Sequence, residues 1–392
     1  SKKTLVFDDL RSNTLNPGTE TRDKRNSLYR YNIYDRRGYD SEYNFVLPVP
    51  IVGYNPDDGF LLGPFLNITK YGFKKEPYAS SQQIGGRFAF RTAAFKLTYE
   101  GDFPNMFGNW DLYLDISNQG PTYSFKVAGM GNESFREKGN NNFYRVRQTG
   151  TRLYPAFKKR FAGSSGYITL GPLLETSRIE ATPGRFITAY GSDNPALFKR
   201  KYFGGTEFSL VFNNVDNFFL PHQGIRFKST LNWTTNLAEN KNFTVWRVQL
   251  AFYKHLDYRE NIVFATQIGG GQNVGTGYEF FQMQTIGGQQ GLRGYRTERF
   301  YGKSSLWHNT DLRVRLSSSY NSTLPLTFGV FGGFDYGRVW LEEDESTKWH
   351  YNYGGGLWVS PVDVLVFSLG AFIPGENTER SPRIVFQAGF GF

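Results

Sequence analysis

The chain has 392 residues, which allows one large domain or two to three ordinary ones. It has no cysteine, which excludes a disulfide scaffold and a thiolate metal site. The formal net charge of +10 comes from basic residues interleaved with acidic ones, which does not favour nucleic acid as a partner. No run approaches the roughly 18 apolar residues that a membrane-spanning helix needs.

Residues 1–42 are polar and mixed in charge, and their apolar residues follow no period. This composition predicts an N-terminal arm or linker, with the folded part of the chain at 43–392. The arm lacks the apolar core of a secretory signal, so either the protein is not exported or the sequence starts after processing. The strand pattern described next favours the second.

From Tyr43 onward, apolar and polar residues alternate in segment after segment. In 225–233, for example, Ile, Phe, Leu and Trp alternate with Arg, Lys, Thr and Asn, which is the period-two pattern of a strand with two different faces. About sixteen such segments occur, many of about ten residues, as tilted membrane-crossing strands require. They begin near residues 44, 60, 82, 107, 121, 142, 165, 201, 222, 242, 260, 303, 325, 347, 361 and 381.

The third segment breaks its own alternation. Phe88 and Phe90 share one face, whereas Phe95, Leu97 and Tyr99 have the opposite parity. Either a bulge lies near residues 92–94, or two short strands occupy this part of the chain.

Two architectures could explain the alternation, a large soluble β protein and a transmembrane barrel. Aromatic residues at strand ends, including Trp110, Trp340, Trp349 and Tyr353, favour the barrel, as do opposing faces that carry charge. Helices or continuous apolar strands that could cover so much sheet are missing from the pattern. We therefore predict an all-β fold, a transmembrane antiparallel β-barrel of about 16 strands. An even number of strands would place both termini in the periplasm of a Gram-negative bacterium.

Alternate connections should then lie on the outer side of the membrane, where barrel loops are longer. Taking the first connection as external gives outer loops at 55–59, 133–141, 182–200, 236–241, 275–302, 341–348 and 374–381. The loop at 275–302 is the longest, and loops above about 12 to 15 residues are usually functional or disordered.

This long loop contains Arg293-Gly294-Tyr295. Parity places Asp335 on the lumen side of a later strand with Gly333 and Gly337, and it places Asp311 on the inward face of the strand before it. A guanidinium matches a carboxylate in two-pronged geometry, so a loop that folds into the lumen could supply the cation that these carboxylates need.

With these residues the sequence resembles the barrel domain of the BamA superfamily, the bacterial surface antigen family that includes TamA and the two-partner-secretion transporters. The resemblance covers residues 43–392. It is carried by Leu292-Arg293-Gly294-Tyr295, by Asp335 and Gly337, by 214–217 with Pro221 and Gly224, and by a terminal Phe392.

The resemblance implies a sixteen-stranded barrel whose sixth extracellular loop folds inward and is locked by Arg293 and Asp335, with Asp311 as the alternative partner. It also implies assembly, insertion or translocation of proteins at the outer membrane, with lipid and lipopolysaccharide around the barrel and a polypeptide substrate or accessory outer-membrane proteins as partners. One departure is Gly333, where the family usually has an aromatic residue; Phe334 is the candidate replacement.

The resemblance leaves other functions open. Insertases and secretion pores of the family carry periplasmic POTRA domains before the barrel, and residues 1–42 are too short for one. Other members use the barrel as an anchor or exit for an attached enzyme domain, and a passive porin constricted by the long loop is a further alternative.

The first and last strands carry residues that bear on barrel closure. Pro48 and Pro50 cannot donate to a ladder, and the donors they lack point to the same side of the strand. If the neighbour on that side is the last strand, 383–392 with Gly389 and Phe392, the closing seam is weak, as lateral opening would need. A local bulge near the rim is the alternative explanation.

An enzyme would need a different constellation. The four histidines show no metal-ligand spacing, and His308 with Ser304 or Thr310 is the nearest approach to a lipase group on an outward face. We therefore predict no catalytic residues, no metal and no cofactor.

Overall fold

A computed structural model describes residues 3–6, 14–16, 18–23, 43–55, 59–71, 77–120, 122–127, 129–134, 142–288, 290–319, 325–342, 344–361, 365–376 and 381–390. Within these ranges the chain is almost entirely β structure. The strands are β1 Thr4–Val6, β2 Thr21–Asp23, β3 Phe45–Asn55, β4 Gly59–Lys70, β5 Ser80–Ala89, β6 Ala94–Phe107, β7 Trp110–Gln119, β8 Ser124–Lys126, β9 Arg145–Phe161, β10 Gly166–Ile179, β11 Lys201–Val215, β12 Gly224–Asn236, β13 Lys241–His255, β14 Ile262–Gly275, β15 Gln284–Ile286, β16 Phe300–Gly302, β17 Ser304–Ser319, β18 Leu326–Trp340, β19 His350–Pro361, β20 Phe367–Pro374 and β21 Arg383–Ala388.

Helical structure is confined to short connections. Helix α1 is Phe186–Tyr190, and 3-10 turns occur at Ala162–Ser164, Pro195–Phe198 and Phe280–Gln282. Among the described residues, no helix has the length and apolar character that crossing a membrane requires.

The long strands form a closed antiparallel barrel. Strands β3 to β7, β9 to β14 and β17 to β21, sixteen in all, follow one another in the sheet in chain order. The short strand β8 pairs with β9. The prediction of an all-β transmembrane barrel of about 16 strands is confirmed.

The chain divides into two compact units. Unit 1 comprises Ser1–Tyr123, Gln148–Lys159 and Thr169–Ser177. Its barrel strands alternate as predicted: on β5 and β6 the apolar side chains of Phe88 and Leu97 are exposed on one face, while Asp102 is buried on the other. Lipid-facing apolar residues and inward polar residues are the pattern of a membrane barrel.

Unit 2 comprises Ser124–Arg147, Arg160–Ile168 and Arg178–Phe392. On β18 the side chains of Phe328 and Phe334 are 44% and 45% exposed, whereas Phe331 and Asp335 on the opposite parity are buried. The long loop between β14 and β17 also contributes buried residues. Its Ile286, Leu292, Tyr295 and Phe300 pack with Trp307 and Val339 of the wall.

The ambiguous third segment is two strands. The chain turns at 90–93, with Ala93 at φ 51°, and β5 and β6 pair in antiparallel register from Ser81↔Asp102 to Ala89↔Ala94. The reversal explains why the apolar parity changes there. It also makes the loop at 276–303 the sixth connection on its side of the barrel.

Other expectations about the strands need correction. The segment predicted from near residue 121 is only β8, three residues long, because its described neighbours lie in the connection between β7 and β9. The strand β6 is the second of the two strands that were considered for the third segment. Within the arm at 1–42, β1 and β2 pair in parallel, which its lack of periodicity did not predict.

The last strand is shorter than the predicted 383–392. It ends at Ala388, and Gly389 leaves the strand with φ 92°, a conformation that glycine adopts readily. Phe392 lies outside the described residues.

Candidate functional site

The loop at 276–303 is a folded hairpin. Strands β15 and β16 pair through Gln284↔Gly302, Thr285↔Tyr301 and Ile286↔Phe300. Beyond them, Gly291 has φ 94°, and a Cβ there would lie 2.5 Å from the Trp307 Cβ. The amide of Tyr295 donates to the carbonyl of Leu292 at 3.0 Å, which closes a turn around Arg293 and Gly294. The hairpin therefore presents Arg293 at a fixed place inside the barrel.

The guanidinium of Arg293 is paired with Asp335 of β18. Its Nη2 lies 2.6 Å from Oδ1 of Asp335, and its Nε lies 3.0 Å from Oδ2. The backbone amide of Arg293 donates to the same Oδ2 at 3.0 Å. Arg293 is 4% exposed and Asp335 is fully buried, so this two-pronged pair is cut off from bulk water.

Asp311 contacts the same guanidinium. Its Oδ1 lies 2.8 Å from Arg293 Nη2, so the two carboxylates share one cation and are not alternatives. Asp311 is the cross-strand partner of Gly333, and a Cβ at Gly333 would lie 2.6 Å from Asp311 Oδ1 and 2.7 Å from Arg293 Nη2. The missing side chain at Gly333 is therefore what gives the ion pair its space.

The aromatic contact comes from Phe372 of β20. Arg293 lies over the Phe372 ring, with 4.3 Å between Cζ and the ring centroid. Phe334, the candidate replacement for the aromatic residue absent at Gly333, is wrong for this role because it is 45% exposed on the outer face. Two neighbours in a strand point to opposite faces, so Phe334 cannot substitute for an inward residue.

Asn352 completes the polar contacts and was not predicted. It is the β19 partner of Asp335, and its Nδ2 donates to Asp335 Oδ2 at 2.7 Å. Its Oδ1 accepts the amide of Gly294 at 3.1 Å. The inward parity of Asn352 beside Asp335 is the sequence signal that could have identified it.

The other motif residues have packing roles. A Cβ at Gly294 would lie 2.7 Å from the Asn352 Cβ, so a glycine lets the loop approach the wall. Tyr295 is fully buried, and its hydroxyl donates to the carbonyl of Tyr351 at 3.3 Å. Gly337 lies opposite Trp307, where a Cβ would be 2.9 Å from the Trp307 Cβ.

The charges reinforce one another electrostatically. Burial by itself lowers the pKa of the Arg293 guanidinium, but the carboxylates of Asp311 and Asp335 outweigh it, so the pKa is raised above its ordinary value. The side chain is therefore a permanent cation in this position.

A second connection, 129–134, braces the same loop. The amide of Gly131 donates to the carbonyl of Tyr301 at 2.8 Å, and Arg299 donates from Nη2 to the carbonyl of Ser134 at 2.8 Å. Asn132 is fully buried. Its atoms bond to Asp344 Oδ2, Ser346 Oγ, the Lys348 carbonyl, the Val339 amide and His350 Nε2.

His350 joins these contacts to the connection after β20. Its Nε2 lies 2.8 Å from the carbonyl of Asn132, and its Nδ1 contacts the carboxylate of Glu376. A carbonyl only accepts, so Nε2 is the donor in its contact with Asn132. The ring also stacks on Phe300 of the long loop at 3.9 Å. Asn132, His350 and Glu376 were all missed, because nothing local in the sequence brings the three connections together.

The residues predicted to weaken the seam are placed as follows. Pro48 lies opposite Leu66 and Pro50 lies opposite Pro64 in the β3–β4 register. Gly389 is outside the last strand, and its amide donates to the carbonyl of Val366 at 2.7 Å. A weak seam stays a prediction.

The histidine weighed for a lipase group makes ordinary contacts. His308 Nε2 lies 2.7 Å from Thr266 Oγ1, and the ring packs on Tyr336 with centroids 5.0 Å apart. Thr310 Oγ1 is 3.4 Å from His308 Nδ1. These contacts suit a histidine in an interfacial aromatic belt.

The fold and site together define a transmembrane β-barrel with its sixth loop folded inside and held there by buried ion pairs. Sequence comparison then finds a family model that matches part of the chain. The Omp85 superfamily domain matches residues 205–392 of this chain. The predicted relationship to BamA and the two-partner-secretion transporters is confirmed. Barrels of this superfamily are outer-membrane proteins.

Solved structures show the same fold. BamA from Haemophilus ducreyi lacking POTRA domains 1–3 aligns with a TM-score of 0.63 and 14% identity, over 88% of this chain and 71% of that chain. CdiB from Escherichia coli aligns at 0.54 and 12%, over 88% and 61%. CdiB from Acinetobacter baumannii aligns at 0.52 and 10%, over 88% and 59%. This chain thus spans about six tenths of each CdiB.

Proposed function

We propose that this chain is the membrane barrel of a protein that inserts or translocates polypeptides at the outer membrane of a Gram-negative bacterium. The observation that carries the proposal is the burial of Arg293 between Asp335 and Asp311 in the Omp85 region of the chain. A loop held in this way is a structural element of the lumen.

The loop is proposed to act as a lock. Breaking a buried ion pair by removing one partner costs about 3 to 5 kcal/mol, because the other charge stays buried without compensation. The backbone bonds of Arg293 and Gly294 to Asp335 and Asn352 add to that cost. The loop should therefore stay inside the barrel unless several bonds break together.

The surroundings of the barrel follow from the same proposal. The exposed apolar wall would be covered by outer-membrane lipid, including lipopolysaccharide on the side of the long loops. Both termini, and with them the arm at 1–42, would be periplasmic because the number of strands is even. A polypeptide substrate and accessory outer-membrane proteins are the proposed partners.

Barrel opening is proposed to occur between β3 and β21. The prolines Pro48 and Pro50 remove two donors from β3, and β21 has only six residues. A substrate strand could add to an edge freed at this position.

The test is to incorporate a photo-crosslinking amino acid into β3 and β21 in cells and to ask whether nascent outer-membrane or secreted polypeptides are captured. Capture from these strands, with none from β12 as the matched control, supports the proposal. Equal capture from all three strands, or none, contradicts it.

A conductance measurement separates the alternatives. The purified barrel in a planar bilayer should give small, unstable currents that increase in Arg293→Ala. A steady, wide pore unaffected by Arg293→Ala would indicate a passive porin. Small currents without polypeptide capture would favour an anchor or exit barrel for an attached enzyme domain.

A further inference from the structure

The segment after β21 folds into the barrel. Gly389 turns the chain, and the amide of Phe390 donates to the carbonyl of Phe219 at 2.8 Å. Phe390 is 3% exposed and packs edge-on against Phe331 and Trp358, with ring centroids 5.4 and 5.9 Å apart. These contacts hold the segment against the inner wall.

The connection at 216–223 is built to receive this segment. Asp216 Oδ1 accepts the amides of His222 and Gln223 at 2.9 and 3.1 Å, and Asn217 Oδ1 accepts the amides of Phe219 and Leu220, both at 2.9 Å. These bonds fix the turn so that Leu220 enters the same apolar cluster as Phe390.

Arg313 of β17 lies between this segment and the locked loop. Its Cζ is 4.3 Å from the centroid of the Phe390 ring, and its Nη2 is 3.4 Å from Asp311 Oδ2. The other oxygen of Asp311 is 2.8 Å from Arg293 Nη2. One carboxylate therefore faces two guanidinium groups, the first from the loop and the second from the wall.

We propose that Arg313 couples the loop lock to the inward-folded segment Gly389–Phe390, so that release of Arg293 also releases Phe390. When Arg293 leaves, Asp311 and Asp335 lose their shared cation in a buried site, where unpaired charge is strongly unfavourable. Arg313 is the nearest remaining guanidinium and is drawn towards the carboxylates. Its movement takes the cation from the face of Phe390, where the ring had favoured it.

A chain of aromatic contacts also connects Arg293 with Phe390, but we expect it to respond differently to the loss of Arg293. Arg293 stacks on Phe372, which packs against Phe331 and hence Phe390. Loss of Arg293 leaves these rings packed on one another. Arg313 is therefore the group whose equilibrium position depends on the lock. This inference goes beyond the proposed function, because it holds whatever the barrel transports.

A single cysteine can report on the segment, because the chain has none of its own. Val385 packs on the cluster that contains Phe390, so Val385→Cys should be slow to react with a water-soluble maleimide while the segment is folded inward. Adding Arg293→Ala to the Val385→Cys variant should increase the labelling rate at least about fivefold. In an Arg313→Gln background, the same Arg293→Ala change should give no further increase.

Arg315→Gln is the matched control, since Arg315 lies on the same strand but bonds to Asn261 and Arg259. In that background Arg293→Ala should still accelerate labelling. If Arg293→Ala does not yield a folded barrel, judged by heat-modifiable migration, Arg293→Gln, which also removes the cation, replaces it with the same expectation. An unchanged labelling rate in a folded barrel that lacks Arg293 would overturn the proposed coupling. A similar acceleration with and without Arg313 would show that Arg313 does not carry it.

Discussion

Two inward-facing charge clusters of the barrel differ in how they are covered. In unit 1, Arg152 of β9 contacts Asp115 and lies 3.5 Å from Glu175, and these side chains are 24%, 36% and 27% exposed. In unit 2, Arg293 and Asp335 are 4% and 0% exposed because the loop itself supplies the cation and covers the site. Similar side chains on a barrel wall therefore have different energetic importance, since screening by water weakens only the first cluster.

The largest expected effect is at the covered cluster. Arg293→Ala and Asp335→Ala should each lower the free energy of unfolding by about 3 to 5 kcal/mol, and the double variant should lose clearly less than the sum. Urea unfolding of the folded barrel in detergent measures all three. Arg296→Ala, in the same loop, is the control and should cost less than about 1 kcal/mol. Small, additive effects of Arg293 and Asp335 would mean that burial does not distinguish the two clusters.

A smaller loss of stability is expected when a side chain fills the space beside the Arg293–Asp335 pair. Gly333→Ala places a Cβ within 2.7 Å of atoms held by the ion pairs, and we expect a loss of about 1 to 3 kcal/mol. Gly332→Ala is a matched control on the outer face, where the nearest atom, the carbonyl oxygen of Gly354, is 4.0 Å away. Gly333→Ala should unfold at a lower temperature than Gly332→Ala. Equal unfolding temperatures would argue that the space beside Gly333 is not closely packed.

The contribution of Glu376, in the connection after β20, to the stability of the fold should depend on pH. Burial by itself would raise the pKa of Glu376, but His350 and Lys348 lower it from 4.5 to about 2. A lowered pKa favours the ionised form in the folded state, so its stabilisation is complete above about pH 4.5 and is lost as the pH falls to about 2.

The variant Glu376→Gln should therefore be less stable than the wild type by about 1 to 2 kcal/mol at pH 6. Unfolding measured from pH 6 to pH 2 should show this difference shrinking with acid. A difference that stays constant over that range would contradict the assigned ionisation.

The smallest effect is expected at the exposed cluster. Arg152→Ala should change the free energy of unfolding by no more than about 1 kcal/mol, and added salt should reduce the change further. The same urea titration applies, at low and high salt. A loss as large as that of Arg293→Ala would show that exposure does not decide the energetic weight of these charges.

The period-two pattern predicted strands with two different faces, because a wall between lipid and a polar lumen forces every strand to alternate. The aromatic residues at strand ends and the charged opposite faces were needed to favour a barrel over a soluble β protein. Parity along a strand is local information, and it predicted Asp335 and Asp311 on the same face, where both are buried. The position of Arg293 in a long loop followed from sequence as well. The reversal at 90–93 was ambiguous, because a bulge and a tight turn both change the parity.

The tertiary structure decided which distant groups meet. Asn352 contacts Asp335 because β18 and β19 pair in one register, and a shift of one residue would turn Asn352 outward. Phe372 and Asn132 reach the site from other parts of the chain, and no local pattern records the approach of one connection to another. Burial follows from the same packing. The sequence supplies the charges, whereas the loop that covers them determines how much each contributes to stability.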